Sequence, residues 1–161
     1  MTKRSAGILM YRGHGPELQL LLVHPGGPFW ARKDEGAWSI PKGEYEEGRE
    51  PLAVARREFE EELGTCAPSG DVVDLGELVQ QSRKKITAFA VEGDFDPSTL
   101  RSNTFEMEWP PKSGRMRSFP EIDRAAWFAP QEAREKILPG QRPLIDRLLA
   151  RIAEVTRRTA R

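Results

Sequence analysis

The clearest structural signal in the sequence is the stretch Pro51-Leu52-Ala53-Val54-Ala55-Arg56-Arg57-Glu58-Phe59-Glu60-Glu61-Glu62-Leu63-Gly64. Its apolar residues recur at helical spacing, at Leu52, Ala55, Phe59 and Leu63. This spacing predicts an amphipathic helix over residues 52–63. Proline is favoured in the first turn of a helix and glycine just after the last turn. Pro51 and Gly64 therefore predict where this helix begins and ends.

Three glutamates are expected on one side of this helix. An α-helix turns by about 100° per residue, so Glu58, Glu61 and Glu62 fall within an arc of about 100° beside the apolar stripe. Like charges this close repel one another, and a divalent cation such as Mg²⁺, which prefers carboxylate oxygens, removes that cost. The alternative is a solvated helix face with a weak pair between Arg57 and Glu61. Taken alone, the helix favours the solvated face.

The longer string from Gly43 to Thr65 reverses that preference. It resembles the Nudix box, in which Gly, five residues, Glu and seven residues precede Arg-Glu-apolar-any-Glu-Glu-any-Gly-apolar. The residues that match in register are Gly43, Arg57, Glu58, Phe59, Glu61, Glu62 and Gly64. Thr65 departs mildly at the final apolar place. Arg49 stands where the box has its first Glu, and Glu50 is one residue out of register.

The resemblance extends over nearly the whole chain. A two-stranded start, the run from Trp38 to Gly43, and Glu121 six residues before Trp127 are all similar to Nudix hydrolases. The run from Trp38 to Gly43 most resembles the branch that acts on dinucleoside polyphosphates or diphosphoinositol polyphosphates. The resemblance implies an α/β fold, the Nudix α/β/α sandwich, with a mixed sheet, a central metal-binding box helix and a C-terminal amphipathic helix.

The rest of the sequence predicts strands around that central helix, in a single domain over residues 1–161. The predicted strands are residues 6–12, 17–24, 72–82, 85–93 and 125–128, and the further helices are residues 130–137 and 143–155. Turn chemistry at residues 13–16 predicts a hairpin between the first two strands. Residues 94–120 are predicted to be a long irregular stretch. This order of elements favours a layered α/β or α+β domain.

The resemblance also implies roles for the box residues. Glu58, Glu61, Glu62 and the backbone carbonyl of Gly43 would hold Mg²⁺, with Mn²⁺ as a substitute, and Arg57 would hold and orient a box glutamate. The alternative is that one box glutamate, which the sequence does not single out, acts as general base. Glu121 is the catalytic candidate from outside the box, with a surface residue in a turn as the equal alternative.

Candidates for substrate binding lie outside the glutamate set. Lys42, beside the box glycine, and Arg115, in the late irregular stretch, are candidates for binding phosphates. Trp30 lies in a loop where a nucleotide base could stack, and Trp109 is a second candidate for the same role. The alternatives are a solvated charge for Arg115 and an ordinary lid over the core for each tryptophan.

Composition limits the class of partner and the compartment. Formal net charge is zero, with 25 basic and 25 acidic residues, so no global charge predicts a nucleic-acid partner. The longest apolar runs are far below the roughly 20 residues that span a bilayer, so no membrane is expected. A single cysteine, Cys66, excludes an internal disulfide and predicts a reducing, cytoplasmic setting. The expected partner is a small nucleotide or polyphosphate, and the oligomeric state is open.

The resemblance to Nudix hydrolases implies a Mg²⁺-dependent hydrolase of a phosphoanhydride bond in a nucleoside polyphosphate. The leading substrate is a dinucleoside polyphosphate such as diadenosine tetraphosphate. A nucleoside triphosphate pyrophosphatase that clears damaged nucleotides is the second enzyme hypothesis. A nucleotide-sensing domain without catalysis is the third, because the guanidinium of Arg49 beside the carboxylates could take the place of a metal ion.

Overall fold

The centre of the fold is a mixed six-stranded β-sheet, in a computed structural model that describes residues 3–159. The strands are β1 (Arg4–Arg12), β2 (Gln19–Pro25), β3 (Lys42–Tyr45), β4 (Val72–Val79), β5 (Lys85–Glu92), β6 (Thr104–Glu108), β7 (Met116–Pro120) and β8 (Ile122–Phe128). The helices are α1 (Pro51–Leu63), α2 (Pro130–Lys136) and α3 (Arg142–Thr159), with short 3₁₀ turns between elements. Within residues 3–159, no helix is long and apolar enough to cross a bilayer.

Strand β1 organises the sheet. The strands lie in the order β4-β5-β1-β2-β8, and β3 also pairs with β1. β1 pairs with β5 in parallel and with β2 and β3 antiparallel. Its first half pairs with β3, where Gly7 lies opposite Lys42. Its second half pairs with β2, where Tyr11 lies opposite Leu20. A Cβ at Gly7 would lie 2.5 Å from the Pro41 carbonyl oxygen, which explains the glycine at this crossing.

Helices cover both faces of the sheet. Alternate residues of β1 point to opposite faces, so Ile8 and Met10 lie in the core beneath α1 while Leu9 lies in the core beneath α3. Phe59 of α1 and Leu144 of α3 are fully buried in these two cores. The arrangement is an α/β/α sandwich, which confirms the fold class predicted from the resemblance.

Helix α1 has the ends that its sequence predicts. Pro51 occupies its first turn, and Gly64 follows its last turn in the left-handed conformation, with φ of 83°. The Gly64 N–H donates to the Glu60 carbonyl at 2.8 Å, which satisfies one of the free carbonyls at the helix end. Because φ is positive there, a side chain at this position would be strained.

The prediction of irregular chain over residues 94–120 is wrong for its second half. β6 and β7 form a separate two-stranded hairpin, in which Phe105 lies opposite Phe119. The signal was present, because β6 alternates polar residues with Phe105 and Met107. Pro110 and Pro111 in the connecting turn weaken this strand signal, because proline is unfavourable within a strand.

The edge strand β4 carries an irregularity in its pairing with β5 between Asp74 and Gly76. Arg147 of α3 lies beside this point. Its guanidinium donates to the carbonyl oxygens of Leu75, at 3.0 Å, and Glu77, at 3.1 Å. Helix α3 therefore contacts the sheet through hydrogen bonds to its edge as well as through its apolar face.

Phe59→Ala tests the packing of α1 on the sheet. Phe59 has no exposed surface, so the variant should lose about 3–5 kcal/mol of unfolding free energy through lost burial and the cavity left behind. The matched control is Val155→Ala, at a side chain that is 58% exposed, which should change stability by less than about 0.5 kcal/mol. Urea denaturation measures both, and equal effects would contradict the packing described.

Candidate active site

Arg57 holds two of the glutamates on α1. Its Nη2 lies 3.6 Å from Glu58 Oε1, and its Nε lies 3.9 Å from Glu61 Oε1. The Glu58 side chain is 14% exposed, and that of Glu61 is 39% exposed. Burial raises the pKa of Glu58, the charge of Glu61 raises it further, and Arg57 opposes both effects. The role of Arg57 in holding and orienting a box glutamate stays a prediction.

Glu62 is the most buried acid of the group. Only 7% of its surface is exposed, and the backbone N–H of Lys42 donates to its Oε2 at 3.2 Å. Burial raises the pKa of Glu62 to about 8, although the Lys42 N–H and ammonium act in the opposite direction. The charges of Glu58 and Glu121 raise it further. The helix therefore carries an acid that stays protonated at neutral pH unless a cation compensates its charge.

Gly43 brings strand β3 close to helix α1. A Cβ at this position would lie 2.0 Å from the carboxyl carbon of Glu58. The absent side chain thus leaves the space that the Glu58 carboxylate occupies against the backbone of β3. The requirement for glycine comes from this contact across the chain and not from the conformation of a turn.

Glu121 joins the acids of the helix from the junction of β7 and β8. Its N–H donates to the Asn103 carbonyl at 2.8 Å, and the Asn103 N–H donates to the Glu61 carbonyl at 2.8 Å. On its other side, the Glu121 carbonyl accepts from Gly26 N–H at 2.8 Å. Partial loss of hydration raises the pKa of Glu121, and the charge of Glu61 raises it further. The backbone therefore places Glu121 beside the box.

The donor set fits a hard divalent cation. Carboxylate oxygens are the ligands that Mg²⁺ prefers, and the acids here raise one another's pKa because their charges lack full compensation. Within residues 3–159, no three acidic, histidine or cysteine side chains already converge to hold an ion. Arg57 holds Glu58 and Glu61, while Glu62 accepts from the Lys42 backbone. Ion binding would exchange the Arg57 contacts for metal contacts.

An aromatic cleft opens next to Glu121. Its volume is about 400 Å³, and it is lined by Pro25, Gly26, Gly27, Phe29, Trp30, Phe105, Met107 and Glu121. One wall is the loop after β2, with Trp30, and the other is β6, with Phe105 and Met107. The Lys33 ammonium lies 5.0 Å from the centre of the Trp30 ring. Trp109 instead packs edge to face on Phe29, with ring centres 5.8 Å apart.

The structure brings together only some of the residues predicted to bind substrate. Trp30 lines the cleft and Lys42 lies beside Glu62, at the carboxylate group. Arg115 is exposed in the turn between β6 and β7, outside the set of cleft-lining residues. Arg49 is exposed in the turn before α1, where its N–H donates to the Glu46 carbonyl at 3.3 Å.

Sequence reasoning missed the second wall of the cleft. Phe105 and Met107 lie in the stretch predicted to be irregular, although their alternation with polar residues was a usable strand signal. It also missed Gly26, where a Cβ would lie 2.0 Å from the Pro120 carbonyl oxygen. That contact joins residues far apart in the chain, so no local sequence pattern predicts it.

A family model described as NUDIX domain matches residues 1–148. The chain belongs to the NUDIX domain family. This membership confirms the resemblance carried by the box residues.

Two curated proteins are similar to most of this chain. The chain is 31% identical over 150 residues to a Myxococcus xanthus protein named octanoyltransferase, covering 91% of this chain and 37% of that protein. It is 25% identical over 166 residues to the 8-oxo-(d)GTP phosphatase of Mycolicibacterium smegmatis, covering 93% of this chain and 42% of that protein. The chain thus spans less than half the length of these curated relatives.

A solved structure shows the same fold. It is the binary complex of the C. elegans Ap4A hydrolase, with a TM-score of 0.61 and 18% sequence identity. The match covers 93% of this chain and 98% of that one. At this identity the likeness establishes the Nudix fold and leaves the substrate to other evidence.

Gly43→Ala should separate the site from the fold. The new methyl group meets the end of the Glu58 side chain, which can swing away, so the melting temperature should stay within about 3 °C of wild type. The displaced carboxylate should weaken Mg²⁺ binding, measured by calorimetric titration, by about tenfold or more. Gly70→Ala, at a position with open space around it, is the control. Equal Mg²⁺ affinity in the two variants would refute this role for Gly43.

The raised pKa of Glu62 predicts how stability depends on pH without metal. Between the ordinary value of 4.5 and the folded value of about 8, the folded protein keeps a proton that the unfolded chain has released. The free energy of unfolding should therefore fall as pH rises through this window, by roughly 1 kcal/mol per pH unit. Glu62→Gln lacks the titrating group, so its denaturation curves should show a shallower fall. Parallel pH profiles would contradict the assignment.

Proposed function

We propose that this chain is a Mg²⁺-dependent hydrolase that cleaves a phosphoanhydride bond in a nucleoside polyphosphate, with Mn²⁺ able to substitute. The leading substrate is a dinucleoside polyphosphate such as diadenosine tetraphosphate. The similarity of the fold to that of an Ap4A hydrolase supports this choice, as does the run from Trp38 to Gly43.

One observation carries the proposal: Glu121 belongs both to the carboxylate group and to the lining of the aromatic cleft. A nucleotide base stacked on Trp30 would therefore direct its phosphates toward Glu58, Glu61 and Glu62. The cleft volume of about 400 Å³ suits a nucleoside, since small-molecule pockets span roughly 300–1,000 Å³. The residues proposed to bind the base and those proposed to act on the phosphates therefore lie next to each other. The two groups share one side chain, Glu121.

The roles of the acids follow from their positions. Glu58, Glu61, Glu62 and the carbonyl of Gly43 would hold Mg²⁺, which supplies charge neutralisation on the phosphate oxygens and activation of water. Arg57 would keep Glu58 and Glu61 oriented while the site is empty of metal.

Glu121 is the group that we assign to accept a proton. Its pKa is raised, and a carboxylate whose pKa is closer to the working pH is a better general base. As it takes the proton, the water oxygen bonds to phosphorus. The anhydride P–O bond then breaks, and the leaving phosphate keeps the electron pair. Lys42, beside Glu62, is placed to bind a phosphate oxygen, and Arg115 would reach only the far phosphates of a long chain.

Two other functions compete with this one. The 8-oxo-(d)GTP phosphatase relative supports a nucleoside triphosphate pyrophosphatase that clears damaged nucleotides. A sensing domain without catalysis would follow if Arg49 occupied the carboxylate site as a built-in cation. The exposed position of Arg49 in the turn before α1 favours catalysis over sensing.

Hydrolysis assays on a panel of substrates test the proposal. Diadenosine tetraphosphate should be cleaved with a higher kcat/KM than dGTP or 8-oxo-dGTP, and cleavage should require Mg²⁺ or Mn²⁺. Glu61→Gln and Glu62→Gln should each reduce turnover by about 100-fold or more, because each removes a carboxylate from the site. Glu60→Gln, on the same helix but exposed, is the control and should stay within about twofold of wild type.

The outcomes separate the three functions. A higher kcat/KM for 8-oxo-dGTP would replace the first proposal with the pyrophosphatase. Binding of polyphosphates without turnover in wild type would replace it with the sensing domain. Full activity in Glu61→Gln at saturating Mg²⁺ would refute the assignment of the site.

A further inference from the structure

His24 is a fully buried polar side chain at the end of β2, and both of its ring nitrogens have partners. Nδ1 lies 2.8 Å from Asp123 Oδ1, and Nε2 lies 2.7 Å from the Lys33 carbonyl oxygen. Its ring packs against Trp38, with ring centres 5.2 Å apart. Both polar partners present acceptor oxygens, and a ring nitrogen that carries a hydrogen can donate to either of them. The buried imidazole therefore joins two separate segments of chain.

The first segment is the cleft loop, defined as residues 26–33. Lys33 ends this loop and determines the position of Trp30 in two ways. Its N–H donates to the Trp30 carbonyl at 3.0 Å, and its ammonium lies over the Trp30 ring. A contact that fixes the Lys33 carbonyl thus also restrains the aromatic wall of the cleft.

The second segment is the start of β8. Asp123 lies two residues after Glu121, and its carboxylate also lies 3.7 Å from Arg124 Nε. The other end of the cleft loop is tied to the same place, because Gly26 N–H donates to the Glu121 carbonyl. His24 therefore completes a closed connection, in which both ends of the cleft loop are attached to the short segment Glu121–Asp123.

We propose that His24 is a positioning residue that holds the Trp30 wall of the cleft at a fixed distance from Glu121. It contributes to substrate affinity through the Lys33 carbonyl, and it does not take part in bond cleavage. This inference rests on the proposed function, since it assigns Trp30 to the nucleotide base. The edge-to-face contact with Trp38 restrains the orientation of the imidazole.

Two substitutions separate the two hydrogen bonds of His24. An asparagine amide nitrogen takes the place of Nδ1 and keeps the Asp123 contact, whereas a glutamine amide nitrogen takes the place of Nε2 and keeps the Lys33 contact. His24→Asn should raise KM for diadenosine tetraphosphate about tenfold, similar to Trp30→Ala, while kcat stays within about twofold. His24→Gln should restore KM to within about threefold of wild type.

Gln141→Leu is the matched control for a purely structural effect. Gln141 is also fully buried, its side-chain oxygen accepts from Ile40 N–H at 3.1 Å, and it lies outside the lining of the cleft. Its loss should lower the melting temperature without changing KM. A KM increase in this control equal to that of His24→Asn, or equal effects of His24→Asn and His24→Gln, would overturn the proposal.

Hydrogen exchange gives a measurement that does not depend on hydrolysis. Amides of residues 27–33 should exchange faster in His24→Asn than in wild type or Gln141→Leu. If wild type cleaves no polyphosphate, the proposed function fails while this measurement still tests the positioning role. If His24→Asn does not fold, Asp123→Ala releases the imidazole from the surface side, and the same amides should exchange faster. Unchanged exchange there would equally overturn the proposal.

Discussion

The packing of the apolar stripe of α1 against the sheet holds acidic side chains together although their charges oppose it. Keeping Glu62 buried at neutral pH costs a few kcal/mol, judged from its pKa of about 8. Val54, Phe59 and Leu63, on the same helix, are buried and contribute about 1.5–3 kcal/mol each. Apolar burial therefore outweighs the electrostatic cost, and the site exists because the helix is anchored independently of its charges.

Patterns along the sequence predict helix α1 well, but they predict the aromatic cleft poorly. The spacing of apolar residues and the two helix ends place α1 within one residue, and the register of the box identifies Gly43 and Glu58 as related positions. Their physical relation, a missing side chain that makes room for a carboxylate, appears only when β3 lies against α1. The position of Glu121 depends on backbone contacts with Gly26 and Asn103, which no periodicity along the chain encodes.

The two parts of the site lie on different kinds of structure. Glu58, Glu61 and Glu62 are on helix α1, whereas the cleft walls come from the loop after β2 and the β6–β7 hairpin. Trp30 and Phe105 can therefore change without disturbing the contacts of Glu58 and Glu61 with Arg57. The box residues therefore identify the family from the sequence. The loop after β2 and the β6–β7 hairpin, which form the cleft, have sequence patterns that predict their structure only weakly.

The arginine of α3 at the edge of the sheet has a consequence for how copies of this chain can meet. An exposed edge strand presents free backbone groups on which a strand from another molecule can add, and repeated addition leads to aggregates. At β4, Arg147 already occupies the carbonyls of Leu75 and Glu77. A second molecule would have to displace this guanidinium before its own strand could pair there. Helix α3 thus protects the fold against open-ended strand addition at this edge.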